Sequence, residues 1–110
     1  MKVVFLPEVR IYFQELQDIL FEKEYFGFEE SAVQYIRDLV LDIEENLPTK
    51  VSKTAPPYFN RYGRNLRYAT FRKNKNTQWY AFFNKYQKNG EVIYVVCYIS
   101  NNHVIAKYLE

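Results

Sequence analysis

The chain is poor in the residues that build most metal and nucleophile sites. Its 110 residues include one cysteine, Cys97, and one histidine, His103. A single cysteine excludes an internal disulfide and any multi-cysteine zinc site. A single histidine leaves no pair for a histidine-based metal centre. No metal and no other cofactor is expected. Cys97 lies inside the apolar run Val92–Ile99, where free cysteine behaves as a small core residue rather than a nucleophile. The three glycines, Gly27, Gly63 and Gly90, are scattered, so no glycine-rich loop is available to cradle a phosphate. A serine–histidine–aspartate arrangement would have to use Ser52 or Ser100 and has no supporting motif. Long hydrophobic runs are missing too. Nothing approaches the length of a membrane span. Met1–Leu6 is too short an apolar run, and meets Pro7 and Glu8 too soon, to read as a signal peptide. The expected home is a reducing cytoplasm.

What the chain does have is charge, divided along its length, and aromatic rings. Residues 1–48 carry 4 Lys/Arg against 11 Asp/Glu, and residues 49–110 carry 11 against 2. Balances of −7 and +9 are thus hidden in a net charge of +2. Aromatics reach 19%, and most of them lie among the cations of the second half. Such a mixture suits a polyanion, because cations neutralise phosphates and rings offer stacking faces. It also describes a β-sheet with an aromatic core and a solvated basic face.

The periodicities are those of an α+β chain, read as one domain over residues 1–110. Lys2–Leu6 is a short strand. Pro7 and Glu8 start a helix, since proline tolerates the first turn and acid favours the positive end of the dipole. Val9, Tyr12, Phe13, Leu16, Ile19 and Leu20 form its apolar stripe. Glu15, Asp18, Glu22 and Glu24 fill the other face, and Gly27 stops it. A second helix covers about Glu29 to Asn46, with Ala32, Ile36, Leu39, Val40, Ile43 and Leu47 as its stripe and Pro48 as its end. The short connection makes the pair an antiparallel hairpin whose acidic exterior is a solvated face.

Residues 48–65 read as a loop crossing from helix to sheet. Three strands follow, Leu66–Lys73, Thr77–Gln87 and Glu91–Ser100, with turn chemistry at 74–76 and 88–90. In the last strand, alternation sends Ile93, Val95, Cys97 and Ile99 towards the helices and leaves Tyr94, Val96 and Tyr98 on an exposed face. Asn101–His103 is a turn, and Val104–Leu109 a short helix or edge strand. The expected order is β-α-α-β-β-β, a helical hairpin packed on an antiparallel sheet.

Three segments carry a resemblance to a known family. Asn65–Lys73 (NLRYATFRK) is similar to a basic strand, Gln78–Phe83 (QWYAFF) to the strand after it, and Ile93–His103 (IYVVCYISNNH) to a last strand running into a polar turn. Together with the element order they resemble the RelE/ParE superfamily of toxins from bacterial type II toxin–antitoxin pairs. The resemblance covers nearly the whole chain and implies a RelE-like fold. It also implies a cognate antitoxin as partner and one of two activities. RelE-type toxins cleave mRNA on the ribosome; ParE-type toxins inhibit DNA gyrase without cutting RNA. A degenerate member would bind its antitoxin alone. One position departs from the nuclease pattern. Where an arginine commonly follows the first aromatic of the middle strand, this chain has Tyr80 after Trp79.

Cleaving RNA through its own 2′-hydroxyl takes a base for the 2′ proton, an acid for the leaving 5′ oxygen and a cation for the charged phosphorane. Histidine is the side chain that ordinarily titrates near neutrality, which makes His103 the candidate acid or base. Arg72 and Arg67 are the candidates for charge stabilisation. Tyr80 and Tyr98 are candidates to stack a base or donate a proton, and Lys73, Lys75 and Arg64 to contact phosphates. The odd separation of Arg67 and Arg72 sends them to opposite faces of a regular strand. That favours Arg72, which shares a face with Tyr68 and Thr70, and leaves Arg67 to anchor the 48–65 loop. Tyr80 and Phe82 alternate with Trp79, Ala81 and Phe83, and pattern alone does not choose which set faces the helices.

Overall fold

The computed structural model describes residues 1–22 and 29–109, and side chains over 1–22 and 31–109. Among these, a first strand β1 (Lys2–Phe5) leads into helices α1 (Pro7–Glu22) and α2 (Glu29–Asn46). A two-residue strand β2 (Lys53–Thr54) follows, then β3 (Arg67–Arg72), β4 (Gln78–Lys88) and β5 (Glu91–Asn101). A helical turn, α3 (Asn102–Ile105), closes the described chain with a 3₁₀ turn at Ala106–Tyr108. The expected helix stop at Gly27, and Glu24, lie outside the described residues.

The class is α+β, as the periodicities required. The sheet order is β1-β5-β4-β3-β2. β3, β4 and β5 form the expected antiparallel meander. The sheet as a whole is mixed rather than antiparallel, because β1 runs parallel to β5, Lys2 opposite Ile93 through Phe5 opposite Val96. Strand β2, pairing Lys53 with Tyr68 and Thr54 with Arg67, had no signal in the sequence. Two residues are too few for a period.

Both helices press an apolar stripe onto one face of the sheet. Val9, Phe13 and Leu16 of α1 and Ile36, Leu39 and Ile43 of α2 meet Ala69, Phe71, Trp79, Ala81, Phe83, Tyr94, Val96 and Ile99. Trp79 Nε1 donates to the Tyr35 hydroxyl at 2.9 Å, tying β4 to α2. The alternation left open in β4 is thereby decided: Trp79, Ala81 and Phe83 face the helices, and Tyr80 and Phe82 face away. Ile19, expected in the stripe, is 44% exposed; Leu20 continues the Val9–Phe13–Leu16 row instead. Glu15, Asp18, Glu22, Asp38, Glu44 and Glu45 are exposed, so the acidic half is a solvated face there.

The predicted alternation of β5 is corrected by a bulge. Phe82 pairs with Tyr98 but Phe83 pairs with Val96, so Cys97 is an extra residue without a partner. One extra residue reverses the parity of everything before it. Ile99, after the bulge, faces the helices as expected. Before it, Tyr94 and Val96 are the buried helix-facing residues, and Ile93 and Val95 take the other face.

The second face of the sheet is not the open basic surface that alternation implied. Phe59, Leu66, Tyr80, Phe82 and Ile105 form a second buried cluster. Residues 48–65 fold back over this face as the 3₁₀ turn Pro57–Arg61, and the C-terminal turns cover it from the other end. Phe59 stacks on Phe82 with ring centroids 4.4 Å apart. Tyr98, expected to be exposed, lies face to face with Tyr62 at 3.7 Å.

The β4–β5 hairpin is closed by Asn89-Gly90, both at positive φ (53° and 79°), between the paired Lys88 and Glu91. Two left-handed residues match the twist of the strands in a two-residue hairpin turn. A Cβ at Gly90 would meet nothing within 4 Å, so Gly90→Ala carries a purely conformational cost. It is expected to lower unfolding stability by about 1 kcal/mol in urea titration, without altering the fold.

Candidate nucleic-acid interface

The candidate site is assembled at one end of the meander by three asparagines. In the β3–β4 turn, Asn74 Oδ1 accepts from the amides of Asn76 (2.8 Å) and Thr77 (2.9 Å). This side-chain-to-backbone pattern is one reason asparagine favours turns. Asn102, just past β5, reaches across to the same turn: its Oδ1 accepts from Gln78 N–H at 2.8 Å and its Nδ2 donates to Asn76 O at 3.1 Å. Asn101 caps α3, its Oδ1 accepting from the His103 amide at 2.9 Å. These bonds set the position of His103. Its Nε2 lies 3.1 Å from Thr77 Oγ1. Nδ1 makes no hydrogen bond among the described residues, and the side chain is exposed. An imidazole with one nitrogen anchored and the other open has the form a general acid or base needs.

Arg72 hangs on the same turn, its Nε donating to Asn74 O at 3.2 Å. Its terminal nitrogens make no hydrogen bond among the described residues, and the side chain is exposed. Tyr80 shares its face. Arg72 is opposite Gln78 and Thr70 opposite Tyr80, so Arg72 and Tyr80 are diagonal neighbours at about 7–8 Å, within reach of long side chains. Tyr80 is 9% exposed and edge-on to Tyr68 at 5.9 Å. Burial, then the neighbouring Tyr68, pushes its phenol above the ordinary value. It is therefore a neutral hydroxyl at the margin of a core. Lys75 is exposed at the tip of the turn.

The remaining candidates lie elsewhere. Lys73 points to the helix face, its Nζ 5.1 Å from the centre of the Tyr35 ring. Arg67 sits at the far end of β3, about 17 Å from Arg72 at the rise of an extended strand, and Arg64 lies in the turn before it. Arg67 is the loop anchor: Nε donates to Ser52 Oγ (2.8 Å), Nη2 to Ser52 O (2.8 Å) and Nη1 to Thr54 Oγ1 (3.2 Å). β3 pairs regularly with β4, so no bulge brings Arg67 to the face of Arg72. Arg67→Ala is expected to lower stability by about 1 kcal/mol, since its bonds are partly solvated. It should leave the salt dependence of RNA binding unchanged, whereas losing a phosphate contact shallows that slope by about 0.7–0.9 log units per decade of salt. Filter binding from low to physiological salt measures this. The stacking role expected of Tyr98 is occupied internally, because Tyr62 covers its ring.

No protein-family model, curated protein or solved structure matches this chain. Sequence reasoning missed Thr77, the partner of His103, which resembled any other turn threonine. It also missed a strip of rings and cations along the second face. The Arg61 guanidinium lies 3.8 Å over the Tyr58 ring. Tyr58 stacks on Tyr108 at 3.8 Å and 7°, and Lys107 Nζ lies 5.0 Å from the Tyr108 centroid. The signal was available as Tyr58-Phe59-Asn60-Arg61-Tyr62 after two prolines. It became legible only once that segment was seen to fold onto the C-terminal turns. Among the described residues, no helix is long and apolar enough to cross a membrane.

Proposed function

We propose that the chain is the toxin of a RelE/ParE-like type II toxin–antitoxin pair, acting in the cytoplasm as a metal-independent endoribonuclease on ribosome-bound mRNA. The observation that carries this reading is the shared turn at 74–77, which His103 meets through Nε2 at Thr77 and Arg72 through Nε at Asn74, leaving His103 Nδ1 and the Arg72 terminal nitrogens without a hydrogen bond among the described residues. In this mechanism His103 exchanges the proton of the 2′-hydroxyl or of the leaving 5′ oxygen. Arg72 meets the charge that builds on the phosphorus-bound oxygens. Tyr80 orients the strand beside them, and Lys75 holds an adjacent phosphate. A cognate antitoxin, acidic or amphipathic, is the expected tight partner.

A second reading, a gyrase inhibitor of the ParE kind or a relative that binds its antitoxin alone, is favoured by one observation. The middle-strand position commonly held by arginine in the nucleases is a tyrosine only 9% exposed. Induction of the chain without any neighbouring gene product separates the readings. Growth arrest with discrete mRNA ends in primer extension supports the nuclease. Arrest with intact mRNA and inhibited supercoiling moves the protein to the gyrase reading. Harmless expression at high level removes the toxin reading.

A further inference from the structure

A concavity lies where the first strand leaves the sheet. β1 pairs with β5 as far as Phe5 opposite Val96, and Leu6 N–H donates to Val96 O at 3.0 Å before the chain turns into α1. From Cys97 onward no strand among the described residues flanks β5 on that side. The space left there is a cavity of about 500 Å³, within the size range of small-molecule sites. Leu6, Val9 and Ile99 give it apolar walls, and the Tyr62–Tyr98 pair, stacked on each other 5° from parallel, gives it an aromatic one. Tyr12 adds a third ring. Burial above all, with Tyr98 and Tyr35 contributing, pushes the Tyr12 phenol up to about 12. Burial, then the Tyr98 hydroxyl, raises that of Tyr62 as well. These rings present neutral hydroxyls.

Two charged side chains line the cavity, Arg61 and Glu8. Arg61 uses Nε on Tyr58 O at 2.9 Å, and its terminal nitrogens make no hydrogen bond among the described residues. It ends the Lys107–Tyr108–Tyr58–Arg61 strip, in which two stacked rings lie between two cations. Glu8, exposed in the first turn of α1, offers only acceptors when ionised. Guanine alone among the RNA bases presents two adjacent donors, N1–H and the 2-amino group, to match both oxygens of a carboxylate.

We infer that this cavity binds a guanine nucleotide, the base against the Tyr62–Tyr98 wall with its donor edge on Glu8, and the phosphate on Arg61. The inference draws on the proposed RNA activity only for the source of the nucleotide, which is either an RNA strand or a free mononucleotide.

The test uses the full chain, with guanosine 5′-monophosphate (GMP) and the adenosine analogue (AMP) as probes in calorimetry, and alkylation of Cys97, which lines the cavity, as the reporter of place. GMP is expected to bind, to slow alkylation, and to exceed AMP by about tenfold or more, the discrimination of a bidentate base contact. Glu8→Gln should abolish that preference. Arg61→Gln should weaken GMP and leave guanosine unchanged. Both side chains are exposed, and circular dichroism checks that the variants fold. A guanine-containing single strand binding about tenfold tighter than GMP assigns the source to RNA; equal binding assigns it to the free nucleotide. Absent GMP binding, equal AMP binding or an unprotected Cys97 overturns the inference. His103-dependent mRNA cleavage with Cys97 unprotected would remove the pocket and keep the toxin. GMP protection without cleavage would do the reverse.

Discussion

His103→Ala is expected to lose about 10²-fold or more in single-turnover cleavage of mRNA on programmed ribosomes, the lower bound of general acid–base contributions. Folding should be preserved. The side chain is exposed and gives up only its contact with Thr77, while the bonds that build the turn belong to Asn74, Asn101 and Asn102. Arg72→Ala should lose a comparable amount by leaving the phosphorane charge uncompensated. Here too the structure is spared, since one hydrogen bond to Asn74 O is removed at the surface. Asn102→Ala is the informative control. It frees the Gln78 amide and the Asn76 carbonyl and so lets the turn drift from β5. Activity should then fall although no catalytic group is altered. Cleavage by the wild type that is indifferent to His103→Ala would take the histidine out of the mechanism and leave Arg72 with Tyr80 as the remaining chemistry.

Phe59→Ala is expected to be the most damaging substitution outside the helix-facing core, at about 3–5 kcal/mol in urea unfolding. Domains of this kind have about 5–15 kcal/mol in all. Phe59 has no exposed surface and holds the 48–65 segment to the sheet by stacking on Phe82 and by edge contact with Tyr58 at 4.9 Å. Its loss removes ring surface and leaves a void between two layers that cannot collapse around a rigid strand. Tyr58, Arg61 and Tyr62 are carried on the same 3₁₀ turn. The variant should therefore also release the stack on Tyr98 and speed the alkylation of Cys97 before global unfolding. A loss below 1 kcal/mol, or no change in Cys97 reactivity, would show that the second cluster adds little to holding this segment.

Several elements were legible in the sequence because they depend on local rules. The span of α2 follows from its stripe and from Pro48. The β4–β5 turn follows from Asn89-Gly90. The division of Arg67 from Arg72 follows from parity alone in a strand without a bulge. Other features were invisible for equally physical reasons. The bulge at Cys97 inserts one residue into an otherwise alternating run, and an apolar run reads the same in either phase. Hence Tyr94 and Val96 exchanged faces with Ile93 and Val95. Strand β2 exists because Arg67 and its neighbours pair with it, not through any propensity of Lys53 and Thr54.

By itself the sequence determined the class, the order of the main elements, the acidic exterior of the helices and the concentration of cations and rings in residues 49–110. These are sums over local periods and composition. Tertiary structure alone decided which aromatics are buried, that residues 48–65 close the second face of the sheet, and that Thr77, Arg72 and His103 meet at one turn. The reason is range. Residues 26 positions apart, such as Thr77 and His103, are brought to 3.1 Å by strand register and by side-chain bonds across the turn, and no local pattern encodes either.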